Sequence, residues 1–298
     1  MTSRQWLSRT AAAIAVILCV NFAVAYVLDP YGVMRDTHGR ELRVVFSARK
    51  AKYLLSKHYV PTNYDSLIIG PSSSENWDPT GIPGVKLYNE SILGSNVFEE
   101  KRIVDQAMPN GHFKLALCIL YPTMTSNHQM NDGLDAVSTA EAFGSIHLYV
   151  HEANQILAAL HLPTGRLSAP DGATPLKPVP PSFDTIQFDP SYFNLDPVAV
   201  SAYSQMVRDL STRGARIVYI IPPLFQPCLT LNEKALADYK QSMRRLLPPA
   251  PLVDFNGPEF KPFRIDESNY LDCFHVSASG AEKIDTYLAQ QVPAALAN

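Results

Sequence analysis

Three consecutive serines, Ser72 to Ser74, follow the apolar stretch Leu67–Ile69 and a Gly-Pro pair. Far downstream, Asp272 and His275 stand three residues apart in the segment LDCFHVS. A serine hydroxyl attacks a carbonyl only when a neighbouring base takes its proton and a third group holds that base. The Asp-x-x-His spacing lets a carboxylate reach the imidazole of its own short turn, orient the ring and stabilise its protonated form. Ser72, His275 and Asp272 are therefore the candidate nucleophile, base and orienting acid, with Ser73 as the runner-up nucleophile. The competing reading is structural, since serines after a strand also serve as turn formers and helix caps.

Other residues offer less. His147 and His151 lie four apart on a predicted helix, a spacing able to grip zinc, but no third ligand accompanies them. Glu75 and Asp78 are read as serving the start of the helix or turn that follows the serines. Tyr192 and Phe193 can stack on sugar rings, although tacking the loop to the core is the simpler role. Cys19 falls in the N-terminal apolar run and Cys118 inside an apolar strand, where a small buried thiol is the default. Cys228 and Cys273 fall in loops after strands and can pair in an oxidising compartment. Neither a metal nor a cofactor is expected.

The elements that must carry these groups are short, nearly continuous apolar runs alternating with helical patterns. Strands are expected at 65–70, 85–89, 113–121, 215–222 and 251–255, as suits strands covered on both faces. Helices are expected at 99–108, 138–160, 197–212, 232–247 and 279–296. Alternation of this kind gives an α/β class with a doubly wound, five-stranded parallel sheet. In such sheets, sites gather at the carboxyl ends of strands near the reversal of strand order. Ser72, just past the first strand, and His275, after the fifth, would then share one rim. A Pro-rich excursion at 161–197 is expected to run over the surface.

The chain has 298 residues, 46% hydrophobic and 18% charged, with a formal net charge of −3. That is enough to bury a large core, and the charge balance speaks against a nucleic-acid partner. Residues 11–28 form an apolar run interrupted by Asn21, at the lower end of bilayer-spanning length, with Trp6 and Tyr26 at its flanks. Ala23–Ala25 also resembles a signal-peptidase site. Because the run continues to Leu28, an uncleaved anchor is favoured over a cleaved leader. The expected arrangement is a single-pass protein of a bacterial inner membrane with its main domain in the periplasm. The organisation reads as an anchor over 1–28, a connector and helix over 29–63, and an α/β domain over 64–298. The basic residues Arg49, Lys50, Lys52 and Lys57 are read as a solvated helix face.

Taken together, Gly70–Ser72 (GPS) after the first strand and Asp272–His275 (DCFH) before the last helix resemble the SGNH, or GDSL-like, hydrolase superfamily. The likeness to a membrane-anchored cell-envelope branch of it spans about residues 64–295. It implies a flavodoxin-like sheet, Ser72, His275 and Asp272 in their catalytic roles, and an oxyanion hole from the Ser72 N–H and the Gly94 N–H. The family often adds an asparagine after the third strand. Here that strand ends ILYPTMTSN, and Asn127 is a loose candidate. The resemblance further implies an esterase or O-acyltransferase acting on an acylated glycan or acyl donor of the envelope, alongside other polysaccharide-assembly proteins. The departure at the asparagine leaves a second reading, a degenerate relative that binds polysaccharide without turnover. A lipid or short-chain esterase is a third.

Overall fold

A computed structural model describes residues 2–43, 49–78, 81–126, 193–229 and 232–297. It also describes 134, 149–150, 153–154, 156–157, 160–162, 167–174 and 183. Elements are numbered over these residues. The strands are β1 (Ser66–Ile69), β2 (Leu87–Asn89), β3 (Leu115–Ile119), β4 (Arg216–Ile221) and β5 (Leu252–Asp254). They pair in parallel in the order β2-β1-β3-β4-β5. Each falls within its expected stretch, and β1 and β3 are buried throughout, as strands covered on both faces should be. Strand order reverses between β1 and β3, so the end of β1 lies at the switch point where open α/β sheets place their sites.

The helices are α1 (Ser3–Leu28), α2 (Arg49–Asn63), α3 (Val97–Ala107), α4 (Pro122–Ser126), α5 (Pro197–Thr212), α6 (Gln226–Leu229), α7 (Glu233–Leu246), α8 (Lys261–Ile265) and α9 (Ala278–Ala297). Sequence explains several of their ends. Asn96 caps α3 by accepting from the N–H groups of Phe98 and Glu99, and Glu99 accepts in return from the Asn96 N–H. Asp196 caps α5 with Pro197 at its first position. Of the helix expected over 138–160, residues 149–150, 153–154 and 156–157 are helical and Leu160 is in a turn, and the other positions, with His147 and His151, lie outside the described residues.

α1 is 26 residues long and strongly apolar, with Ala25 as its buried residue. Its exposed Leu, Ile, Val and Phe side chains contrast with a helix drawn into a core, and by length and composition it can cross a bilayer. The chain then turns sharply. Asp29, fully buried, accepts from the N–H groups of Val33 and Arg35 and pairs with Arg40 at 3.2 Å. Arg40 also donates to the carbonyl of Leu28, closing the end of α1.

α2 was expected to turn its basic residues to solvent, and the structure corrects this for two of them. Ala51, Lys52, Leu54, Leu55, Ser56, Tyr59 and Val60 are buried, and the apolar ones join the core of the sheet. Lys52 lies in the middle of that apolar stripe rather than opposite it, and Arg49 reaches inward from the first turn. Pro61 deprives the Lys57 carbonyl of its helical donor, and Asn110 supplies one at 2.8 Å.

The Pro-rich excursion also differs from expectation at its centre. Residues 171–174 are buried beside β2. The Asp171 carbonyl accepts from the Asn89 N–H at 2.6 Å, and the Pro170 carbonyl accepts from the hydroxyls of Tyr59 and Tyr64. An unpaired edge of β2 is thereby covered. Phe193 is buried and packs edge-on to Tyr239 at 6.3 Å, so it tacks the loop to the core, while Tyr192 lies outside the described residues.

Candidate active site

Gly70 ends β1 where there is no room for a side chain, since a Cβ there would lie 2.5 Å from Ile119 on β3. Pro71 then forms an isolated parallel bridge with Ile92, whose N–H donates to the Gly70 carbonyl at 3.0 Å. The serine segment and the loop after β2 are thus laced side by side. Ser72–Ser74 form a single 3-10 turn, and Pro71 precedes it without a side-chain cap. Glu75 and Asp78 come after this turn, which has no acidic residue in its own first positions. The Asp78 N–H donates to the Asp285 carboxylate at 2.9 Å.

The three serines separate cleanly. Ser74 is fully buried and donates to the Pro71 carbonyl and shares a 2.8 Å hydrogen bond with Ser91, a structural role. Ser73 is buried and its hydroxyl meets no partner among the described residues. Ser72 is partly exposed, and its hydroxyl donates to His275 Nε2 at 2.8 Å.

His275 stands at the end of a loop that is fixed three times over. Tyr270 and Val276 form an antiparallel bridge across its base. The Phe225 N–H donates to the Cys273 carbonyl, and Cys273 is joined to Cys228 by a disulfide. Asp272 folds back on its own turn, its Oδ1 accepting from the N–H groups of Phe274 (2.9 Å) and His275 (2.7 Å). Its Oδ2 accepts from His275 Nδ1–H at 2.6 Å. Burial pushes the Asp272 carboxyl upward, but the hydrogen bond and charge of His275 and the two backbone donors outweigh it. The carboxyl is left below its ordinary range, ionised and able to hold the ring with Nε2 facing Ser72. Phe274 covers one side of the imidazole at 4.4 Å between ring centres.

Ser72, His275 and Asp272 thus form one continuous hydrogen-bonded chain, with distances suited to nucleophilic attack on an acyl carbon. Gly94 sits in the neighbouring loop with φ +64, and among the described residues its N–H donates no hydrogen bond. It is available for a developing oxyanion. Asn127 lies outside the described residues.

Sequence reasoning passed over the residues that shape this second loop. Asn89, at the end of β2, donates to the carbonyls of Ser74 and Trp77 and accepts from the Ser91 N–H. Lys52 Nζ donates to the carbonyls of Asn89 (2.8 Å), Ser91 (2.7 Å) and Gly172 (3.1 Å). Burial lowers the pKa of that amine, opposed by the charges of Glu75 and Glu90. Glu90, also fully buried, is pushed up to about 7 by desolvation, against the hydrogen bond from Ser56 and the charge of Lys52. The signal for Lys52 was present in the helical period: it shares a face with Leu55, Ser56 and Tyr59.

No protein-family model matches the sequence, and no curated protein does. Among solved structures, the chain is similar to a Streptococcus pneumonia protein assigned as a platelet activating factor. That similarity is 11% identity and a TM-score of 0.45, over 94% of this chain and 98% of the other. It is also similar to a lipase/acylhydrolase from Enterococcus faecalis, at 10% identity and a TM-score of 0.37, over 76% and 94% of the two chains. A Bacteroides fragilis protein assigned as an acylhydrolase matches at 11% identity and a TM-score of 0.36, over 78% and 87%. Likenesses this distant do not decide function. The α/β class rests on the order and parallel pairing of the five strands.

Proposed function

We propose that this chain is a serine-dependent esterase or O-acyltransferase of the SGNH type, held at a bacterial inner membrane by α1 and acting on acylated glycans of the periplasm or envelope. The observation that supports it most is the Ser72–His275–Asp272 chain of hydrogen bonds. In the proposed reaction, Ser72 Oγ attacks the ester carbonyl carbon as its proton passes to His275 Nε2. The Ser72 and Gly94 amides take the negative charge of the tetrahedral intermediate. His275 then returns the proton to the departing alcohol oxygen, leaving an acyl-serine. Water attacking that acyl group completes hydrolysis, and a sugar hydroxyl completes transfer. In either case His275 removes the acceptor's proton and passes it back to Ser72. The glycan and the envelope setting come from the likeness to anchored relatives.

A fluorophosphonate probe tests the chemistry. It should label the wild type and Ser73→Ala but not Ser72→Ala. Absence of labelling in a folded wild type would support the alternative of a polysaccharide-binding or assembly protein without turnover. Comparison of ester content in envelope glycans from wild-type and Ser72→Ala cells then separates the two activities. A transferase predicts lower content in the variant and an esterase higher content.

A further inference from the structure

Given the esterase reading above, we propose that Arg49 of α2 is a positioning residue for the oxyanion hole, setting the direction of the Gly94 N–H through the carbonyl of Leu93. The guanidinium Nη2 donates to the Leu93 carbonyl at 2.8 Å and to the Gly94 carbonyl at 2.8 Å. A trans peptide is planar, with its C=O and N–H pointing oppositely, and the described chain contains no cis bond. The carbonyl of Leu93 and the N–H of Gly94 belong to the same peptide unit. Holding that carbonyl against α2 turns the N–H away from α2, and the Pro71–Ile92 pairing keeps this loop beside the segment that leads to Ser72.

The local backbone shows why an anchor is needed. The Ser95 N–H donates to the Ile92 carbonyl at 3.2 Å, so Ile92 to Ser95 form a β-turn whose central peptide is Leu93–Gly94. The positive φ of Gly94 at the third position is the signature of a type II turn. Types I and II differ by a flip of that central peptide, and glycine accepts either form. In the type I form the same N–H would point back toward α2. Arg49 binds the carbonyl in the type II orientation and so selects it. The guanidinium is itself held by Glu99 at 3.2 Å, a buried carboxylate at the start of α3. One turn along α2, Lys52 fixes the carbonyls of Asn89 and Ser91 in the same loop.

The test uses the full chain in detergent and a p-nitrophenyl ester substrate. Arg49→Met should lower kcat by about 10²-fold with KM little changed, the size of losing one oxyanion donor and the pattern of an interaction made only in the transition state. Affinity for a reversible tetrahedral transition-state analogue should fall by a similar factor. Arg49→Lys should recover part of the loss, because an ammonium can reach one carbonyl but not fork across two. Lys57→Met, which removes a positive charge from the same helix, should stay within a few-fold of wild type. The proposal is overturned if Arg49→Met keeps wild-type kcat while Ser72→Ala is inactive. It is equally overturned if kcat falls but affinity for the analogue does not. Lack of any Ser72-dependent turnover in wild type would instead sink the esterase reading, and this inference with it.

Discussion

His275 is useful to Ser72 only in the tautomer that leaves Nε2 free to accept, and Asp272 enforces it by accepting from Nδ1 at 2.6 Å. Asp272→Asn keeps the shape but can donate to Nδ1, which favours the opposite tautomer. We expect a fall in kcat of roughly 10³–10⁴-fold with near-wild-type folding, measured by ester turnover beside a thermal melt. Gly94→Ala adds a Cβ to a left-handed residue and places it 3.3 Å from the Arg49 guanidinium. Turnover should fall while KM changes little. The meeting of Ser72, His275 and Asp272 was legible in the sequence, because the Asp-x-x-His spacing closes on its own turn and the strand order brings both segments to one rim. The role of Arg49 was not, and for Lys52 the helical period marked the buried face but not the partners, because both side chains donate to backbone carbonyls, which leave no mark on residue type.

The loop carrying Asp272 and His275 has little regular structure of its own, and its rigidity comes from neighbours. The disulfide from Cys273 to Cys228 ties it to α6 across 45 residues. On a chain-entropy account, closing a loop of that length stabilises the fold by about 4 kcal/mol. Reduction, or the pair Cys228→Ala with Cys273→Ala, should lower Tm markedly and reduce kcat more than it raises KM. A melt and a kinetic assay with and without dithiothreitol would show this. The strands were readable because doubly covered parallel strands are unbroken apolar runs. The buried stretch at 171–174 escaped notice because it is held through backbone groups, such as the Asp171 carbonyl on the Asn89 N–H, in a segment whose prolines suggest exposure.

In the molecule as a whole, acidic groups near α9 give stability a direction with pH. Burial pushes Asp285 up to about 8, with the charges of Asp78, Asp171 and Glu282 adding and the Asp78 N–H opposing. Asp171 is pushed up to about 6, again mainly by burial. Each keeps its proton in the folded chain where the unfolded chain has lost it, so the contribution of each to stability is greatest below the ordinary carboxylate range and is lost as pH rises through its folded value. Tm should fall between about pH 5 and about pH 8, and Asp285→Asn should flatten the upper part of that fall. Truncation offers a second check. A chain starting at residue 29 should fold and still react with a fluorophosphonate, since α1 contributes little to the core. One starting at residue 64 should not, because it lacks Leu55, Tyr59 and Val60, all fully buried. The junction between α1 and the rest has a consequence of its own. Asp29 and Arg40 make it a locked elbow instead of a loose leash. If α1 stands in a bilayer and the proposed reaction holds, the altitude of the Ser72 mouth is set by covalent architecture, and a substrate would have to be delivered at that level.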